Sequence, residues 1–495
     1  MVGELDRLGP WGAELVRRAS ARGVALIARA QARSVRRVVV HDGRIEATTS
    51  LSASGCGIQS IDPAGRSLLA SRDDLSGEPA LRLVDRLVEL STSADRLGLE
   101  RGAWPCLPRV VGRRVPGDPT AFERIDLATL GRRLLELERE IAGRVPETSV
   151  QISYRAELDA WRIFRSDGTD VLYAAPRCTL AARLAGRRLG SRHAVSAAAF
   201  SPDPGLPDAA PAVACFLRRA EIAARLALEL PDAPTHPPGS FPLVIDYGLA
   251  KGLAHEAFGH AAEADGFRSS ILARDGRFRT GEVVGADHVS IVDEPVEDDH
   301  AWQPFSANGL PRERAVLVDH GRLCDALSDP WSAAAAGVRL TAAERAESYR
   351  HAPQPRMTNI RIEVDDPLPA PGAFEDHGPL EVRELLRQAG VLRRHPRIAY
   401  LSGYAGGQVN TATGDFVFQC KAIYALDEHG ATLHRPAIFS GSMFGALGSI
   451  REAFGPLQLD AIGTCGKWGQ SVPSSGGSHF FLVLEPHERV RLGGR

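Results

Sequence analysis

The spacing of apolar and polar residues along the chain predicts a first half built from helices and strands. An amphipathic helix is expected from about Trp11 to Ser34, because apolar residues recur there at near-helical spacing among arginines. Short apolar runs on either side of the turn-like His41-Asp42-Gly43 predict a small β-meander over residues 36–60. The other elements predicted for this half are helices around residues 79–95 and 120–143 and a strand-rich stretch from 149 to 200.

The pattern changes at residues 231–240, where four prolines and a glycine disfavour both helix and strand. Beyond this segment, short apolar runs alternate with glycine-rich turns, which is typical of a predominantly β domain. We therefore predict an α+β protein of two domains. An N-terminal mixed α/β domain is expected over residues 1–230, and a C-terminal, predominantly β domain over residues 241–495.

Charge and composition exclude several classes of protein. The 59 basic and 61 acidic residues leave a formal net charge of -2, which gives no field to attract nucleic acid or an anionic membrane. No apolar stretch approaches the roughly 18 residues of a membrane span, and the N-terminus does not read as a secretory signal. We therefore expect a cytoplasmic protein that binds neither nucleic acid nor membrane.

Two residue types have an uneven distribution. The seven cysteines are scattered and never form a CxxC pair, so a disulfide framework is not expected. Lysine occurs only at Lys251, Lys421 and Lys467, while arginine is abundant. At the level of the sequence, this scarcity indicates a biased codon composition rather than a strategy for binding phosphate.

Candidate chemistry concentrates in the segment from His255 to His260, an HExxxH pattern within a helical stretch. Two neutral imidazoles can hold a zinc ion, and Glu256 beside the first of them can take a proton from water without being a ligand. This arrangement is typical of a hydrolytic zinc site. On the segment alone, a pair of structural histidines is the open alternative.

The spacing of the two histidines has a geometric consequence. Residues five apart on a regular α-helix are rotated by about 140° from one another, so their side chains diverge. An irregular helix at residues 257–260, with either a one-residue π-bulge or a local loosening, would bring the rings together. Gly259, immediately before His260, is the residue expected to permit that distortion.

The second half of the chain carries four distinctive sequence blocks. They are Gly252 to His260, Glu347-Ser348-Tyr349 with Pro355 to Asn359, Gly406 to Asn410 with Thr413 to Phe418, and Cys465 to Pro473. Together these blocks resemble the TldD/PmbA family of zinc metallopeptidases, and specifically its metal-bearing TldD branch. The first half resembles the family only at Gly55 to Ile58 and Ala70 to Ser76. The resemblance therefore covers the second domain well and the first weakly.

The resemblance implies a complete zinc site. His255 and His260 match the two histidine ligands of the family, and Cys465 matches its thiolate ligand. Glu256 matches the catalytic glutamate. Three protein ligands and a water form the open arrangement of a catalytic zinc ion. Without the resemblance, Cys465 would read as a buried small hydrophobe.

Further candidates surround this set. Glu263 and Asp265 could orient the imidazoles through hydrogen bonds, although acidic residues on a helix are more often solvated. Glycine allows close approach of a substrate backbone, and paired glycines also serve in ordinary turns. The candidate substrate-binding residues, expected to line a peptide cleft, are Arg356, Asn359, Gly406 and Gly407. The sequence names no oxyanion donor.

The resemblance also implies partners and substrates. Members of the family look like dimers, often of a metal-bearing TldD-type subunit with a metal-free TldE-type partner, and this chain would be the active subunit. The expected substrates are unfolded peptides or modified precursor peptides, bound in extended form against a strand edge. Hydrolysis would use the zinc ion, with Glu256 as general base.

Three alternatives stay open. One is an HExxxH zinc hydrolase similar to dipeptidyl peptidase III, with a glutamate as third ligand, against which the Cys465 block argues. Another is a non-catalytic member that binds peptides or a partner subunit, which the intact candidate set argues against. The third is a TldD-like hydrolase that cleaves an amide in natural-product biosynthesis. Two observations support this third hypothesis. The first half matches the family weakly, and Trp468 and His479 add bulk or polarity near the ligand loop.

Overall fold

The computed structural model contains two large β-sheets with helices packed against them. The described residues are 1–21, 23–63, 65–76, 82–87, 89–90, 104–187 and 193–493. Within them, one sheet draws its strands from residues 25–201 and the other from residues 243–492. Because the two sheets share no strand among these residues, we propose that the domain boundary lies between residues 230 and 241.

The first sheet has seven strands within the described part of the chain. Their bounds are β1 Ala25–His41, β2 Arg44–Ile61, β3 Ser67–Arg72, β4 Val111–Arg114, β5 Thr148–Arg165, β6 Asp170–Gly186 and β7 Ala194–Ser201. The order across the sheet is β3-β2-β1-β5-β6-β4, with β7 paired to β6. Two long antiparallel hairpins therefore meet through β1 and β5, and the predicted strand-rich stretch from 149 to 200 is confirmed.

The turn predicted at residues 41–43 is confirmed as a tight hairpin between β1 and β2. His41 pairs with Arg44, and Asp42 and Gly43 between them have φ angles of 46° and 76°. Positive φ at both central residues gives the turn the twist that antiparallel strands require. Beyond this turn, the part of the predicted meander from residue 44 to residue 60 is one continuous strand, β2.

The helix predicted from Trp11 to Ser34 is shorter than expected. It spans Gly9–Ser20, and β1 begins at Ala25. The side chains of β1 are buried on both faces over most of its length. A strand with two buried faces lacks the alternation of polar and apolar residues, so its apolar positions imitate helical spacing.

Helices cover the first sheet. Their bounds are Val2–Asp6, Gly9–Ser20, Leu127–Arg144 and Ala210–Glu229, with 3-10 turns at Pro119–Phe122, Leu206–Asp208 and Leu230–Asp232. The helix predicted around residues 120–143 is confirmed, and its apolar side is buried in the core above the sheet. The helix predicted around residues 79–95 lies largely outside the described residues, of which 82–87 and 89–90 are helical.

The second sheet has thirteen strands among the described residues, which confirms a predominantly β second half. Their bounds are β8 Leu243–Asp246, β11 Val289–Glu294, β12 Ala315–Asp319, β13 Arg322–Leu323, β16 Asn359–Val364, β17 Arg397–Asn410, β18 Asp415–Asp427, β19 Ala431–His434, β20 Ile438–Ser442, β21 Ile450–Gln458, β22 Gly463–Lys467, β23 Gln470–Leu484 and β24 Val490–Leu492. The order is β13-β12-β11-β16-β23-β8-β17-β18-β20-β24, with β19 on β18 and both β21 and β22 on β23.

Smaller elements complete the second half. Two short hairpins pair β9 Ala273–Arg274 with β10 Arg277–Phe278, and β14 Glu344–Arg345 with β15 Gln354–Pro355. The helices are Tyr247–Gly252, Pro330–Ala336, Pro379–Gln388, Val391–Arg394 and Met443–Gly448, with a π-helix at Leu253–Gly259 and 3-10 turns at Ala264–Ser269 and Phe374–Asp376. None of the helices in the described ranges is long and apolar enough to cross a membrane.

The predicted irregularity in the HExxxH segment is confirmed as a π-helix. The N–H of His260 donates to the carbonyl of His255 at 3.1 Å, a bond between residues five apart. The π-helix begins at Leu253, earlier than the predicted residue 257. Gly259 contributes packing space rather than an unusual backbone angle, because a Cβ there would lie 2.6 Å from Sδ of Met357.

Gly259→Ala should lower the free energy of unfolding by about 1–3 kcal/mol, because the added methyl group must displace the buried Met357 side chain. Denaturant unfolding followed by circular dichroism measures the change. Gly266→Ala is the matched control, since a Cβ at Gly266 meets no atom within 4 Å. Equal stability of the two variants would show that the contact with Met357 does not restrict residue 259.

Candidate metal centre

The π-helix turns the two histidine rings of the HExxxH segment toward each other. A short helix, Tyr247–Gly252, connects β8 to the π-helix. Asp246 caps this short helix, and its Oδ1 accepts a hydrogen bond from the N–H of Leu249 at 2.9 Å. The ring centroids of His255 and His260 lie 5.2 Å apart at an interplanar angle of 90°. A regular α-helix would rotate the second ring away, and the wider π-turn offsets much of that rotation.

Cys465 reaches the histidines from a different element. It lies in β22, a short strand paired with β23. Its Sγ is 3.6 Å from Nε2 of His260. One donor atom each from His255, His260 and Cys465 lies within 4.8 Å of the others. The fold thus gathers the three candidate ligands from elements about 200 residues apart in the sequence.

The donor set fits a zinc ion. Bonds of about 2.0 Å to nitrogen and about 2.3 Å to sulfur at a tetrahedral angle separate two ligand atoms by about 3.5 Å. The distance from Cys465 to His260 is close to that value. Nδ1 of His255 is buried with no hydrogen-bond partner in the described structure, and a metal ion is a partner that would satisfy such a nitrogen. Three ligands leave a fourth position open.

Burial and nearby charges set the protonation of the donors. Burial is the main cause that holds the pKa of His255 well below its ordinary value, so its imidazole is neutral. Burial also opposes charge on His260, but Glu263 and the Cys465 sulfur outweigh it and raise the pKa of His260 to about 10. Burial likewise opposes a thiolate at Cys465, yet His260 outweighs it and the pKa of Cys465 is lowered. Both shifts favour an imidazolium–thiolate pair, whose proton a metal ion would displace.

A buried ion-pair network joins the two ligand-bearing elements. Glu263 Oε2 lies 3.2 Å from Nδ1 of His260 and orients that ring. Nζ of Lys467 lies 2.9 Å from Glu263 and 2.8 Å from Asp265. Because Lys467 is two residues after Cys465 in β22, both side chains lie on one face of the strand. Glu263 therefore contacts a candidate ligand directly, whereas Asp265 acts through Lys467.

Arg356 and Asn359 are buried, at 1% and 0% exposure, and neither lines the cavity that opens beside the candidate ligands. Arg356 donates to the sulfur of Cys465 at 3.4 Å and also to its carbonyl oxygen. The Asn359 amide donates to Asp299 at 3.2 Å and to Ser475 at 3.3 Å. Arg356 thus holds the Cys465 sulfur in place. Asn359, at the start of β16, links its strand to Asp299 and to Ser475 in β23. We do not propose substrate contact for either residue.

A cavity of about 470 Å³ opens beside the candidate ligands. Gly406 and Gly407 line one wall, and Lys251, Glu256 and Tyr404 line the wall nearest the π-helix. Its volume lies within the range of about 300–1,000 Å³ that is typical of small-molecule sites. The two candidate glycines therefore border a space that could receive a substrate.

Glu256 projects from the π-helix toward this cavity, with 21% of its side chain exposed. Its Oε2 lies 3.8 Å from Nε2 of His260, and the Tyr404 hydroxyl donates to its Oε1 at 3.4 Å. Gly252 lets the Tyr404 ring lie against the helix, since a Cβ there would lie 2.7 Å from the ring. Burial raises the pKa of Glu256, which is the direction that a general base acting near neutral pH requires.

Comparison with known proteins shows which family the second half of the chain matches. The family model described as the PmbA/TldA metallopeptidase C-terminal domain matches residues 238–469. The chain is 31% identical over 278 residues to a metalloprotease TldD homolog of Haemophilus influenzae, a match that covers 56% of this chain and 52% of that protein. The second half of the chain therefore matches the C-terminal domain of the TldD/PmbA family.

Two further proteins extend the comparison. A metalloprotease of Methanocaldococcus jannaschii is 30% identical over 266 residues, 53% of each protein. The chain spans about half the length of the curated relatives it matches. The crystal structure of TldE from Thermococcus kodakarensis has a TM-score of 0.76 at 14% identity, and the match covers 98% of this chain and 100% of that one. That likeness shows a shared fold in both halves of the chain.

Three residues of this candidate site were not predicted from the sequence. Tyr404 carries no local signal, because its contact with Glu256 depends on how β17 packs against the helix. Lys251 and Lys467 carried a signal in the rarity of lysine, which codon bias alone does not explain once both are seen at the site. A rare residue type is thus informative only with its surroundings known.

Lys467→Met should weaken zinc binding at the candidate site by about tenfold or more, because Glu263 and Asp265 lose their cation and the Cys465 hairpin loses its attachment to the helix. Competition with a chromophoric zinc chelator measures the affinity. Lys421→Met, which removes a lysine outside this network, should bind zinc as the wild type does. Wild-type affinity in Lys467→Met would contradict the role given to the network.

Proposed function

We propose that the chain is a zinc-dependent peptidase of the TldD type, in which His255, His260 and Cys465 hold the metal ion and Glu256 is the general base. The observation that carries the proposal is the convergence of the three donor atoms within 4.8 Å beside a cavity lined by Glu256. Imidazole and thiolate ligands with an open fourth position favour zinc. Relatives named metalloproteases support hydrolysis as the chemistry.

The residues around the cavity divide the work of amide hydrolysis. A bound zinc ion would supply Lewis acidity to the scissile carbonyl. Glu256 accepts the proton of the attacking water and returns it to the leaving amine, so the carboxylate is regenerated in each turnover. The hydroxyl of Tyr404, which donates to Glu256, keeps this carboxylate directed at the cavity. Arg356 and the Glu263 network keep the ligands in place.

We propose that peptide substrates bind in extended form along β17. That strand pairs with β18 over residues 397–410, but with β8 on its other side only over residues 399–401. Among the described residues no strand covers 402–407 on the β8 side, and most of this stretch lines the cavity. An open edge binds an extended backbone through main-chain hydrogen bonds and gives little sequence selectivity.

We also propose that the chain works as a dimer, with a metal-free TldE-like subunit as the candidate partner. The full-length likeness to the fold of TldE from Thermococcus kodakarensis supports a pairing of two similar folds. Light scattering on the purified chain, alone and mixed with a TldE-like subunit from the same source, tests this. A monomeric mass in both samples would contradict the pairing.

The size of the cavity favours a second candidate function, cleavage of an amide in a small conjugate during natural-product biosynthesis. About 470 Å³ holds a small molecule as readily as a short stretch of peptide. Both functions use the same ligands and the same proton transfers through Glu256. Their substrates differ, and a comparison of cleavage rates for unfolded peptides and small acyl conjugates separates them.

Glu256→Gln should bind zinc as the wild type does and lose hydrolysis by about 10²–10⁴-fold, because an amide cannot accept the proton of water. Metal analysis by mass spectrometry and cleavage of an unfolded peptide mixture measure the two properties. Cys465→Ser is the contrasting variant and should lose zinc, since a neutral hydroxyl is a poor substitute for a thiolate. Full turnover in Glu256→Gln would refute the base, and normal zinc content in Cys465→Ser would refute the ligand.

A further inference from the structure

All three lysines of the chain lie at or beside the candidate site. Lys251 and Lys421 line the cavity, and Lys467 binds Glu263 and Asp265. Of the 59 lysine and arginine residues in the chain, all except these three are arginine. An ammonium group is a compact point charge with three donors, whereas a guanidinium is a rigid planar fork. The distribution indicates that these positions require the smaller cation.

Lys251 is buried but only partly paired. The residue is 6% exposed, and within the described residues Nζ makes one hydrogen bond, to Oγ of Ser474 at 3.2 Å. No carboxylate in those residues lies within 4 Å of this ammonium group. Glu256, Cys465 and Asp299 act on this charge only from beyond hydrogen-bond distance. A buried cation without a carboxylate in direct contact destabilises a fold, so its presence calls for another reason. Two of its three N–H groups are available to a ligand.

Two other cations line the cavity within the described residues. Arg219 lies 2.6 Å from Glu375 and 2.6 Å from Asp460, so two carboxylates neutralise it. Lys421, like Lys251, makes one hydrogen bond, from Nζ to the carbonyl of Ser196 at 2.8 Å, but it lies on β18 and not on the helical segment that leads to Glu256. In the described structure, Lys251 is therefore the cation that is best placed to receive an anionic group from a substrate held beside Glu256.

The position of Lys251 is close to the candidate catalytic groups. It precedes His255 by four residues, one helical turn earlier on the same side. Gly463 faces the ammonium group, because a Cβ at Gly463 would lie 3.3 Å from Nζ. Lys251, Glu256 and Gly463 all line the one cavity. A substrate held next to Glu256 would therefore come close to this charge.

We propose that Lys251 binds a carboxylate of the substrate, so that the cavity selects amides with a free carboxylate near the scissile bond. This inference rests on the proposed hydrolase function and names its substrate class. A carboxylate is a monoanion that forms charge-assisted hydrogen bonds with an ammonium group. A dianion such as phosphate is less suited, because Glu256, Glu375 and Asp460 line the same cavity and would repel it.

Two probes that differ only at one group test the proposal: acetyl-alanyl-alanine with a free carboxylate, and its C-terminal amide. Calorimetric titration into the full-length Glu256→Gln protein measures binding without cleavage. The acid should bind about tenfold more tightly than the amide. Adding Lys251→Met should abolish this preference, whereas adding Lys421→Met should keep it. Equal binding of the two probes, or a preference that survives Lys251→Met, overturns the proposal.

Two further measurements on the same samples complete the test. Lys251→Met should keep or raise the Tm, because it removes a buried charge that has no carboxylate in direct contact. A clear fall in Tm would assign Lys251 a structural role and overturn the proposal. Metal analysis separates this inference from the proposed function. A protein that prefers the acid but holds no zinc would contradict the zinc peptidase and leave the carboxylate subsite standing.

Discussion

The hydrogen bond from the N–H of His260 to the carbonyl of His255, at 3.1 Å, sets the geometry on which the candidate site depends. In a regular α-helix this N–H would donate to the backbone carbonyl of Glu256 instead, and the two imidazoles would point apart. The wider turn brings both rings to the side that Cys465 approaches. Close packing of Gly259 against Met357 leaves no room for a side chain at this turn.

Groups that are not ligands hold the ligand set together. Cys465 comes near the histidines because Lys467, two residues along β22, is bound to Glu263 and Asp265 beyond the π-helix. Arg356 contacts the Cys465 sulfur from another segment of the chain, so a second cation helps to hold this strand in place. Breaking one partner in such a buried network leaves an uncompensated charge, which is why its members are interdependent.

Local patterns in the sequence predicted the features that depend on local geometry. The Asp42-Gly43 turn requires positive φ, and the five-residue spacing from His255 to His260 requires an irregular helix, so both could be read directly. The helix predicted from Trp11 to Ser34 extends too far. Its second half is part of β1, which is buried on both faces, so the apolar residues imitate helical spacing.

Features that depend on packing between distant segments could not be predicted from local patterns in the sequence. Arg356 lies in a block that suggested a cleft, yet packing between distant segments places it on Cys465. The burial of Lys251 and its single hydrogen bond arise from contact with Ser474, more than two hundred residues away. No pattern within one segment reports which residues of another segment will neutralise a charge or leave it free.

X-ray absorption spectroscopy of the zinc-loaded protein tests the central claim most directly. The account predicts one sulfur ligand at about 2.3 Å and two imidazole nitrogens at about 2.0–2.1 Å, with one further light atom completing a four-coordinate site. The sulfur contribution should disappear in Cys465→Ser. A wild-type spectrum with no sulfur ligand, or a wild-type protein that binds no zinc, would contradict a metal centre formed by His255, His260 and Cys465.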